Sequence, residues 1–437
     1  MALADIPPDG PPRRLDSWKE IAEYLRRDVR TATRWKSQGL PVHRVAGGKG
    51  RSVFAFTHEV DAWMAGRFPE SEVIAAPTAA EPPRRSNRMF IVVVACGLVA
   101  IVAVAVAVSR GATPAVDLAA LEATITPTYV SVADVSGVPR ILHRFGPGAV
   151  PLEGRNARIE DLDADGSPNV VAAVSYYDTT AGQASGPGEF LNLSLQGDLQ
   201  WRFSFNDAIN FSGGQVSGPW TISDWQTEPD AGPKRIAVVA HDSTWWASVA
   251  TILDAKGRRQ GTFVNPGWLE SVMWRSADQL AVAGFNNDRN GGMLALLDAV
   301  KLEGRAPAGD YAEYACVTCS SKVPLFYAVF PRSELNQVTS SRFNRARVSA
   351  AGDRLIVTTV EISRKGGDAT AFYEFDRDLR FVQARYSDIY WSEHKRLELE
   401  GRLTHTRETC SDREGPKAVE IWDAVRGWVR TTPSGGS

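Results

Sequence analysis

The feature that most restricts this chain is a run of 20 uncharged, almost wholly apolar residues, MFIVVVACGLVAIVAVAVAV, from Met89 to Val108. As an α-helix rising 1.5 Å per residue, a run of this length reaches about 30 Å, the thickness of a bilayer's hydrocarbon core. The run lacks the polar residues at a 3.6-residue period that a half-buried helix would show. A cleavable secretory signal would lie at the extreme N-terminus, whereas this run begins at Met89. The sequence therefore predicts one transmembrane helix at residues 89–108.

The charges around this run predict its orientation. Arg84, Arg85 and Arg88 precede it, whereas Arg110 alone follows it closely. Because the cationic flank of a span stays in the cytoplasm, we expect a single-pass inner-membrane protein with a cytoplasmic N-terminus and an extracytoplasmic C-terminal part. Small residues recur along one face of the predicted span, which is a possible homodimer contact. They are Cys96, Ala100, Ala103 and Ala107.

The two sides of the apolar run differ in charge. Residues 13–67 contain 12 Lys and Arg against 6 Asp and Glu, whereas residues 109–437 contain 34 against 40. A basic first part and an acidic second part predict different partners for the two ends of the chain.

The basic part has the pattern of a small helical domain with a β-hairpin. In LDSWKEIAEYL, Asp16 or Ser17 can cap a helix, and its apolar residues recur at helical spacing. A second helix follows a short break and ends at Gly39, with Pro41 behind it. VHRVAGGKGRSVFAF then predicts two short strands around a Gly-rich turn, and a helix starting at Thr57 closes the unit.

Two short helices joined by a tight turn are typical of a helix-turn-helix, whose second helix enters the major groove of DNA. The residues predicted to face DNA lie on the second helix and in the hairpin, or wing, where basic side chains can reach phosphates. They are Arg30, Thr31, Arg34, Ser37, Arg44, Lys49 and Arg51. The non-DNA alternative is a small domain that binds proteins and has a solvated basic face.

About 55 residues here resemble the winged helix-turn-helix of MerR-type regulators and excisionases. The resemblance rests on Val29, Thr33-Arg34-Trp35, Gly39-Leu40-Pro41, Arg44 and the Gly50-Arg51…Phe54 segment. It implies binding of double-stranded DNA, usually by a dimer that reads two half-sites. MerR regulators continue into a coiled-coil dimerisation helix, whereas this chain continues into a Pro/Ala/Arg-rich linker.

Beyond the apolar run, short strand-like segments recur between Gly, Asp, Asn and Pro turns. Nine such segments are NVVAAVSYY, EFLNLSL, LQWRFSF, RIAVVAH, SVATILDA, QLAVAGF, MLALLDA, DRLIVTTVEI and TAFYEFD. Many short strands separated by turn signals predict an all-β domain, and more than 300 residues suit a β-propeller of six or seven blades. We find no convincing amphipathic helix repeat in this region.

One loop, ARIEDLDADGSPNVV, carries the pattern of a cation site. Asp161, Asp163 and Asp165 alternate and Gly166 follows, so that three carboxylates can converge while Gly166 takes a positive φ. Asn169 stands where a further oxygen ligand is needed, and no Glu supplies the bidentate ligand of an EF-hand. A solvated acidic turn without metal is the alternative.

The loop resembles the calcium loops of FG-GAP (VCBS-type) propeller repeats, which implies a structural Ca²⁺ bound to one blade. Asn169 replaces the Asp usual in that pattern. A weaker echo of the pattern, FNNDRNGGMLALLD, contains Asn286, Asp288, Asn290 and Gly291, and Asp224 before Trp225 is a further candidate blade marker.

The cysteines and catalytic motifs give less information. Cys316 and Cys319 form a CxxC pair without a second pair that would suggest a zinc finger, so we expect a disulfide either within the pair or from one of them to Cys410. His241, His394 and His405 have no recognisable metal spacing, and no GxSxG motif occurs. The sequence therefore predicts no enzyme.

Together these observations predict a multidomain chain. Its expected parts are a disordered N-terminus (1–14), a winged helix-turn-helix (15–68), a linker (69–88), the transmembrane helix (89–108), an extracytoplasmic β-propeller (114–430) and a disordered tail (431–437). The expected function is a membrane-anchored, DNA-binding transcriptional regulator with a β-propeller that senses an unknown extracytoplasmic ligand or protein. The alternative is an extracytoplasmic adhesion or carbohydrate-binding propeller whose cytoplasmic head is a protein-interaction anchor; a propeller hydrolase ranks third.

Overall fold

The computed structural model divides the chain into two units, Met1–Ala115 and Val116–Ser437. In the first unit it describes residues 14–15, 17–25, 33, 36, 40–44, 53–57 and 60. In the second it describes residues 121–434 except 153, 179, 181–182, 230–231, 244–246, 340 and 342.

The described part of the first unit is a helix packed on a small sheet. Helix α1 (Trp18–Tyr24) is capped by Ser17, whose side chain accepts the backbone N–H of Glu20 at 3.2 Å. Three strands pair in the order β1-β3-β2, all antiparallel: β1 (Arg14–Leu15), β2 (His43–Arg44) and β3 (Val53–Phe56). The buried side chains between helix and sheet are Leu15, Ile21, Ala22, Leu40, Val53, Ala55 and Val60.

The predicted helix start and the two predicted short strands are found in the structure, while the pairing of β1 with β3 was not predicted. Arg14 already belongs to a strand, one residue before the expected domain start. Thr33, in the predicted second helix, is helical and exposed. The linker at 69–88 lies outside the described residues.

The predicted single membrane span is corrected by the structure. Residues 89–108, including the small-residue face, lie outside the described residues, and none of the helices that are described is long and apolar enough to cross a membrane. The longest of them has 12 residues and is about 18 Å long, short of the roughly 30 Å of a hydrocarbon core. This finding overturns the predicted transmembrane helix and the single-pass inner-membrane location.

The second unit is built mainly of β-strands, and the predicted all-β domain is confirmed at that level. Its described residues form five sheets of three or more strands, fewer than the six or seven blades predicted.

The strands of each sheet are as follows. Sheet I contains β4 (Glu122–Ile125), β5 (Tyr129–Ala133) and β6 (Arg140–Arg144). Sheet II contains β7 (Ala149–Pro151), β8 (Arg158–Glu160), β9 (Asn169–Asp178), β10 (Gln183–Ser194) and β11 (Leu199–Phe203), and a separate hairpin follows with β12 (Ile209–Phe211) and β13 (Gly214–Val216). Sheet III contains β14 (Thr221–Thr227), β15 (Ile236–His241), β16 (Ser248–Leu253), β17 (Arg259–Asn265) and β21 (Glu303–Arg305).

The last two sheets are interleaved along the chain. Sheet IV has the order β18 (Leu269–Ser276), β19 (Gln279–Asn286), β20 (Gly291–Asp298), β22 (Phe326–Phe330), β27 (Val419–Asp423) and β28 (Gly427–Thr431). Sheet V has the order β23 (Ala346–Ala351), β24 (Arg354–Ile362), β25 (Ala369–Phe375) and β26 (Phe381–Tyr386). Neighbouring strands are antiparallel throughout, except for the parallel pair β17–β21.

The five sheets pack face to face in chain order. One apolar cluster joins sheets I and II, a second joins II and III, a third joins III and IV, and the largest joins IV and V. Strand β15 shows the arrangement: Ile236 and Val238 face the cluster shared with sheet II, whereas Ala237 and Val239 face the cluster shared with sheet IV. Because both faces of an inner sheet are covered, a central strand such as β15 is buried along its whole length and does not alternate.

Helices are short and concentrated near the last sheet. Helix α2 (Glu334–Val338) is capped by Ser333, and helix α3 (Asp388–Leu399) by Ser387. Single 3₁₀ turns lie at Ala312–Tyr314 and Arg407–Thr409. Helix α3 was not predicted from the sequence, although its buried Tyr390, Trp391, His394 and Leu397 recur at helical spacing.

Candidate functional site

The predicted DNA-facing residues fall almost entirely outside the part of the chain that the structure describes. Arg44 lies at the end of β2, paired with Val53 of β3. The other six predicted residues, Arg30, Thr31, Arg34, Ser37, Lys49 and Arg51, lie outside the described residues. The structure thus describes two short paired strands and a small core beside them, and the DNA-contacting role stays a prediction.

The acidic loop between β8 and β9 brings its three aspartates together. One carboxylate oxygen from each of Asp161, Asp163 and Asp165 lies within 4.8 Å of the other two. Two oxygens on opposite sides of a Ca²⁺ ion bound at about 2.4 Å would be about 4.8 Å apart, so these three atoms fit one coordination sphere. Carboxylate oxygens are the ligands that Ca²⁺ and Mg²⁺ prefer.

Backbone geometry fixes the shape of this loop. Asp161 accepts the backbone N–H groups of Asp165 at 3.2 Å and Gly166 at 2.9 Å, and Asp165 accepts that of Ser167 at 2.7 Å. Gly166 has φ +84°, as predicted from the need for a positive φ, and Ala164 has φ +59°. Because L-residues other than Gly, Asn and Asp rarely adopt positive φ, the Ala164 conformation is held by the turn around it.

The fourth predicted ligand lies at the start of the strand that follows the acidic loop. Asn169 is the first residue of β9, where its backbone pairs with Glu160 and Ser194. Its role as a ligand stays a prediction.

The segment at residues 286–291, which weakly resembles the acidic loop, makes hydrogen bonds within the protein. Asp288 is buried and accepts the backbone N–H groups of Gly309 and Tyr311, both at 2.7 Å. The Asn286 side chain donates to the Tyr327 hydroxyl at 2.7 Å and accepts the backbone N–H of Arg289 at 2.9 Å. These side chains therefore hold neighbouring loops of the protein, which explains their presence without a cation.

Asp224, the other candidate blade marker, links three sheets. Its carboxylate accepts two hydrogen bonds from Arg155, at 2.5 and 2.9 Å, and one from the backbone N–H of Val272 at 3.0 Å. Arg155 precedes β8 of sheet II, Asp224 lies on β14 of sheet III, and Val272 lies on β18 of sheet IV. The next residue, Trp225, is buried in the cluster between sheets II and III, so that this aromatic ring fills the space between sheets.

The structure decides between the two disulfide pairings expected from the sequence. Cys316 and Cys319 form a disulfide, and Cys410 is a buried free cysteine. The CxxC pair is therefore a local bridge, and Cys410 does not staple the C-terminal segment to it.

Cys410 lies in a second group of metal-ligating side chains, which sequence reasoning missed. Glu334 at the start of α2, His394 on α3, and His405 and Cys410 in the loop after α3 each offer one ligand atom, all within 4.8 Å of one another. The His394 and His405 Nε2 atoms are 3.3 Å apart, and His405 Nε2 is 3.2 Å from Glu334 Oε2. We name this group the Glu-His-His-Cys cluster.

The sequence carried a signal for part of this cluster. His394, His405 and Cys410 follow one another with 10 and 4 intervening residues, and they flank the end of one helix. Glu334 comes from another helix 60 residues earlier, and only the contact of α2 with α3 brings it near.

A serine–histidine pair also occurs, but it does not support hydrolysis. Ser223 Oγ lies 2.8 Å from Nδ1 of His241, whose ring is stacked on Trp268 with a centroid distance of 4.4 Å. Burial, together with the nearby Arg345 guanidinium, lowers the pKa of His241 to about 3. A general base needs a pKa near the working pH, so an imidazole this acidic is a poor base. That the chain is not an enzyme stays a prediction.

Comparison with known proteins identifies no family for this chain. No family model matches it, and no curated protein matches it. Among solved structures, it is similar to the AfRom2 CNH domain, at 10% identity and a TM-score of 0.28, over 62% of this chain and 82% of that one. It is also similar to a protein of unknown function from Bacteroides caccae, at 11% identity and a TM-score of 0.24, over 62% and 94% of the two chains. A third similar structure is Kuenenia stuttgartiensis hydrazine synthase, at 11% identity and a TM-score of 0.29, over 72% and 76%.

Proposed function

We propose that this chain is a DNA-binding transcriptional regulator in which a winged helix-turn-helix is joined to a ligand-sensing β-propeller. The observation that carries the proposal is the core of the first unit: α1 packs on β3 in one apolar cluster, and β3 pairs with β2, the other strand of the predicted wing. A capped helix packed on a small antiparallel sheet supports the predicted winged helix-turn-helix, whose second helix would enter the major groove.

Charge supports the same assignment. Residues 13–67 contain 12 Lys and Arg against 6 Asp and Glu. A net positive charge of this kind is typical of a nucleic-acid-binding domain. Arg44 enters the wing beside Val53, next to the segment that carries Lys49 and Arg51. Basic side chains of a wing can bind phosphates on either side of a groove.

For the second unit we propose a β-propeller whose blades are sheets I to V. The support is the packing of successive sheets face to face, with a separate apolar cluster at each junction. The acidic loop before β9 would bind a structural Ca²⁺ through Asp161, Asp163 and Asp165, with Asn169 at its edge. In this view the propeller provides the sensing surface, and its ligand is a small molecule or a protein.

Selection of DNA by the full-length protein tests the proposed function. Random double-stranded oligonucleotides are incubated with the purified chain, and bound molecules are amplified and sequenced over several rounds. We expect one enriched motif, and we expect the double variant Arg30→Ala with Arg34→Ala to lose it, since these side chains would face the groove. Arg430→Ala removes an exposed charge of the second unit and serves as the matched control.

Failure of the wild-type protein to enrich any motif would contradict a sequence-specific regulator. Retention of the motif by the double variant would contradict the proposed recognition helix.

A further inference from the structure

The Glu-His-His-Cys cluster has a composition that differs from that of the acidic loop. It combines two imidazoles, one thiol and one carboxylate, whereas the loop offers carboxylates alone. Thiolate and imidazole ligands select zinc and related transition metals, and carboxylates alone select Ca²⁺ or Mg²⁺. The two groups therefore suit different ions.

Two distances within the cluster match those of a tetrahedral metal site. Two nitrogen ligands bound to zinc at about 2.0–2.1 Å with a tetrahedral angle between them are about 3.3–3.4 Å apart. The Nε2 atoms of His394 and His405 are 3.3 Å apart, and the His405 Nε2 to Glu334 Oε2 distance is 3.2 Å. Cys410 Sγ completes the group within 4.8 Å.

Proton counting also favours a cation at this position. The Nε2 atom of a neutral imidazole carries at most one hydrogen, yet His405 Nε2 faces both a carboxylate oxygen and another ring nitrogen. One hydrogen can be directed at one of these neighbours and leaves the other contact unsupported. A metal ion at the centre would instead accept a lone pair from each of the four side chains.

The fold provides a reason for a structural ion here. Residues 387–418 form an excursion between β26 of sheet V and β27 of sheet IV, and they contain α3 and a 3₁₀ turn. His394 and Cys410 are buried, while the Glu334 side chain is 39% exposed and closes the group on the solvent side. Four protein ligands describe a closed, structural site rather than one with an open position for catalysis.

We propose that Glu334, His394, His405 and Cys410 bind one zinc ion, which fastens the 387–418 excursion to α2. Binding forms a Zn–S bond as the Cys410 thiol releases its proton to solvent, and no oxidant or reductant is needed. His394 Nδ1 is buried without a hydrogen-bond partner among the residues that the structure describes, so this ring is oriented by packing on Trp391, at a centroid distance of 5.3 Å. Since an outer-shell acceptor usually strengthens such a ligand, we expect an affinity below that of sites with a complete second shell.

The test uses tag-free, full-length protein carrying Cys96→Ser, so that Cys410 supplies the free thiol beside the Cys316–Cys319 disulfide. The protein is depleted of metal with EDTA, dialysed, and titrated with Co²⁺ and then Zn²⁺ in excess Ca²⁺, which fills oxygen-ligand sites. We expect one Co²⁺ to produce the thiolate charge-transfer absorption and intense visible bands of tetrahedral Co²⁺, and one Zn²⁺ to abolish both. Absence of these bands would overturn the proposal.

Ligand variants make the assignment specific. Cys410→Ser should lose the charge-transfer absorption, and Glu334→Gln, a change at a half-exposed residue, should lower zinc affinity roughly tenfold or more while preserving the circular dichroism spectrum. Asp163→Asn in the acidic loop is the matched control and should bind Co²⁺ as the parent does. Survival of the charge-transfer band in Cys410→Ser, or unchanged zinc affinity in Glu334→Gln, would contradict this ligand set. Because the cluster does not involve the first unit, failure here leaves the DNA-binding proposal intact.

Discussion

At the scale of single residues, His241 shows how burial sets the chemistry of a side chain. The ring is 3% exposed, lies against Trp268 and bonds to Ser223, and the Arg345 guanidinium is the charged group that most affects it. Its pKa falls from 6.5 to about 3 because the charged form would lose its hydration. The folded state therefore keeps His241 neutral at pH values where the unfolded chain takes up a proton.

This difference in pKa predicts a loss of stability in acid. Between pH 6.5 and about 3 the unfolded state binds more protons, so the His241 contribution is fully present above 6.5 and is lost as the pH falls. We expect the free energy of unfolding to decrease by about 1.4 kcal/mol per pH unit from this group. Urea denaturation of the wild type and of His241→Gln, between about pH 7.5 and about pH 5, isolates the effect as a difference in slope.

Equal slopes for wild type and His241→Gln would show that the ring is not kept neutral by the fold.

The acidic loop gives a second prediction for a single residue. Asp163→Asn removes one carboxylate charge without removing the bonds by which Asp161 holds the Asp165 and Gly166 amides. Because ligand charge sets Ca²⁺ affinity, we expect affinity to fall roughly tenfold or more, as measured by isothermal titration calorimetry on the full-length protein. Asp353→Asn, at an exposed turn of sheet V, should bind Ca²⁺ like the wild type. If Asp163→Asn does so too, the loop is a solvated acidic turn.

At the scale of strands and helices, Asp224 shows how this fold joins neighbouring sheets by polar contacts as well as by apolar clusters. Its side chain is 5% exposed and that of its partner Arg155 is 28% exposed, so the pair is largely withdrawn from solvent. The hydrogen bond to Asp224 is the main reason that the pKa of Arg155 is raised. The same carboxylate also accepts the Val272 N–H across the next junction.

Removing this carboxylate should destabilise the second unit markedly. Asp224→Ala leaves the Arg155 guanidinium and the Val272 N–H without their partner, and we expect a cost of about 3 kcal/mol in the free energy of unfolding. Arg202→Ala removes a more exposed ion pair with Glu189, whose Arg side chain is 57% exposed, and should cost less than about 1 kcal/mol. Urea denaturation monitored by tryptophan fluorescence compares the two. Similar costs for both variants would mean that Asp224 does not join the sheets energetically.

Elements of this protein differ in how far the sequence could predict them. All nine segments with strand-like apolar runs contain strands. Strand β15 is a continuous apolar run because its sheet is covered on both faces, whereas β25 of sheet V alternates between buried and half-buried residues. Helix α3 was missed because two of its four buried residues are aromatic and one is His394, so its apolar face is weakly marked. Strand β27 pairs with β22, although all four strands of sheet V lie between these two strands in the sequence. No local sequence signal predicts this pairing.

The same limit applies to the candidate sites. The acidic loop is contiguous, so alternation of three aspartates before Gly166 was enough to predict converging carboxylates. The Glu-His-His-Cys cluster is assembled from α2, α3 and a later turn, and its members become neighbours only through tertiary packing. Sequence spacing alone could have linked His394, His405 and Cys410, but not Glu334.

At the scale of the whole molecule, the chain divides into a basic unit and an acidic one, each with its own core. Among the described residues, the small core of the first unit contains seven buried apolar side chains, whereas the second unit has five separate apolar clusters. A change in the charge of the first unit can therefore leave the core of the second unaltered, and under the proposed function it would alter DNA binding.

If the first unit binds DNA, its phosphate contacts and its base contacts should have different effects on how the affinity for DNA depends on salt. Lys49, in the predicted wing turn, would bind a phosphate, so Lys49→Ala should weaken binding to all duplexes alike and reduce the slope of log affinity against log salt by about 1. Arg34, on the predicted recognition helix, would contact a base, so Arg34→Ala should cost about 1–3 kcal/mol on the selected motif and less on unrelated duplexes. Fluorescence anisotropy of labelled duplexes at several salt concentrations measures both effects on the full-length protein. If neither variant differs from the Arg430→Ala control, the positive charge of residues 13–67 serves some partner other than DNA.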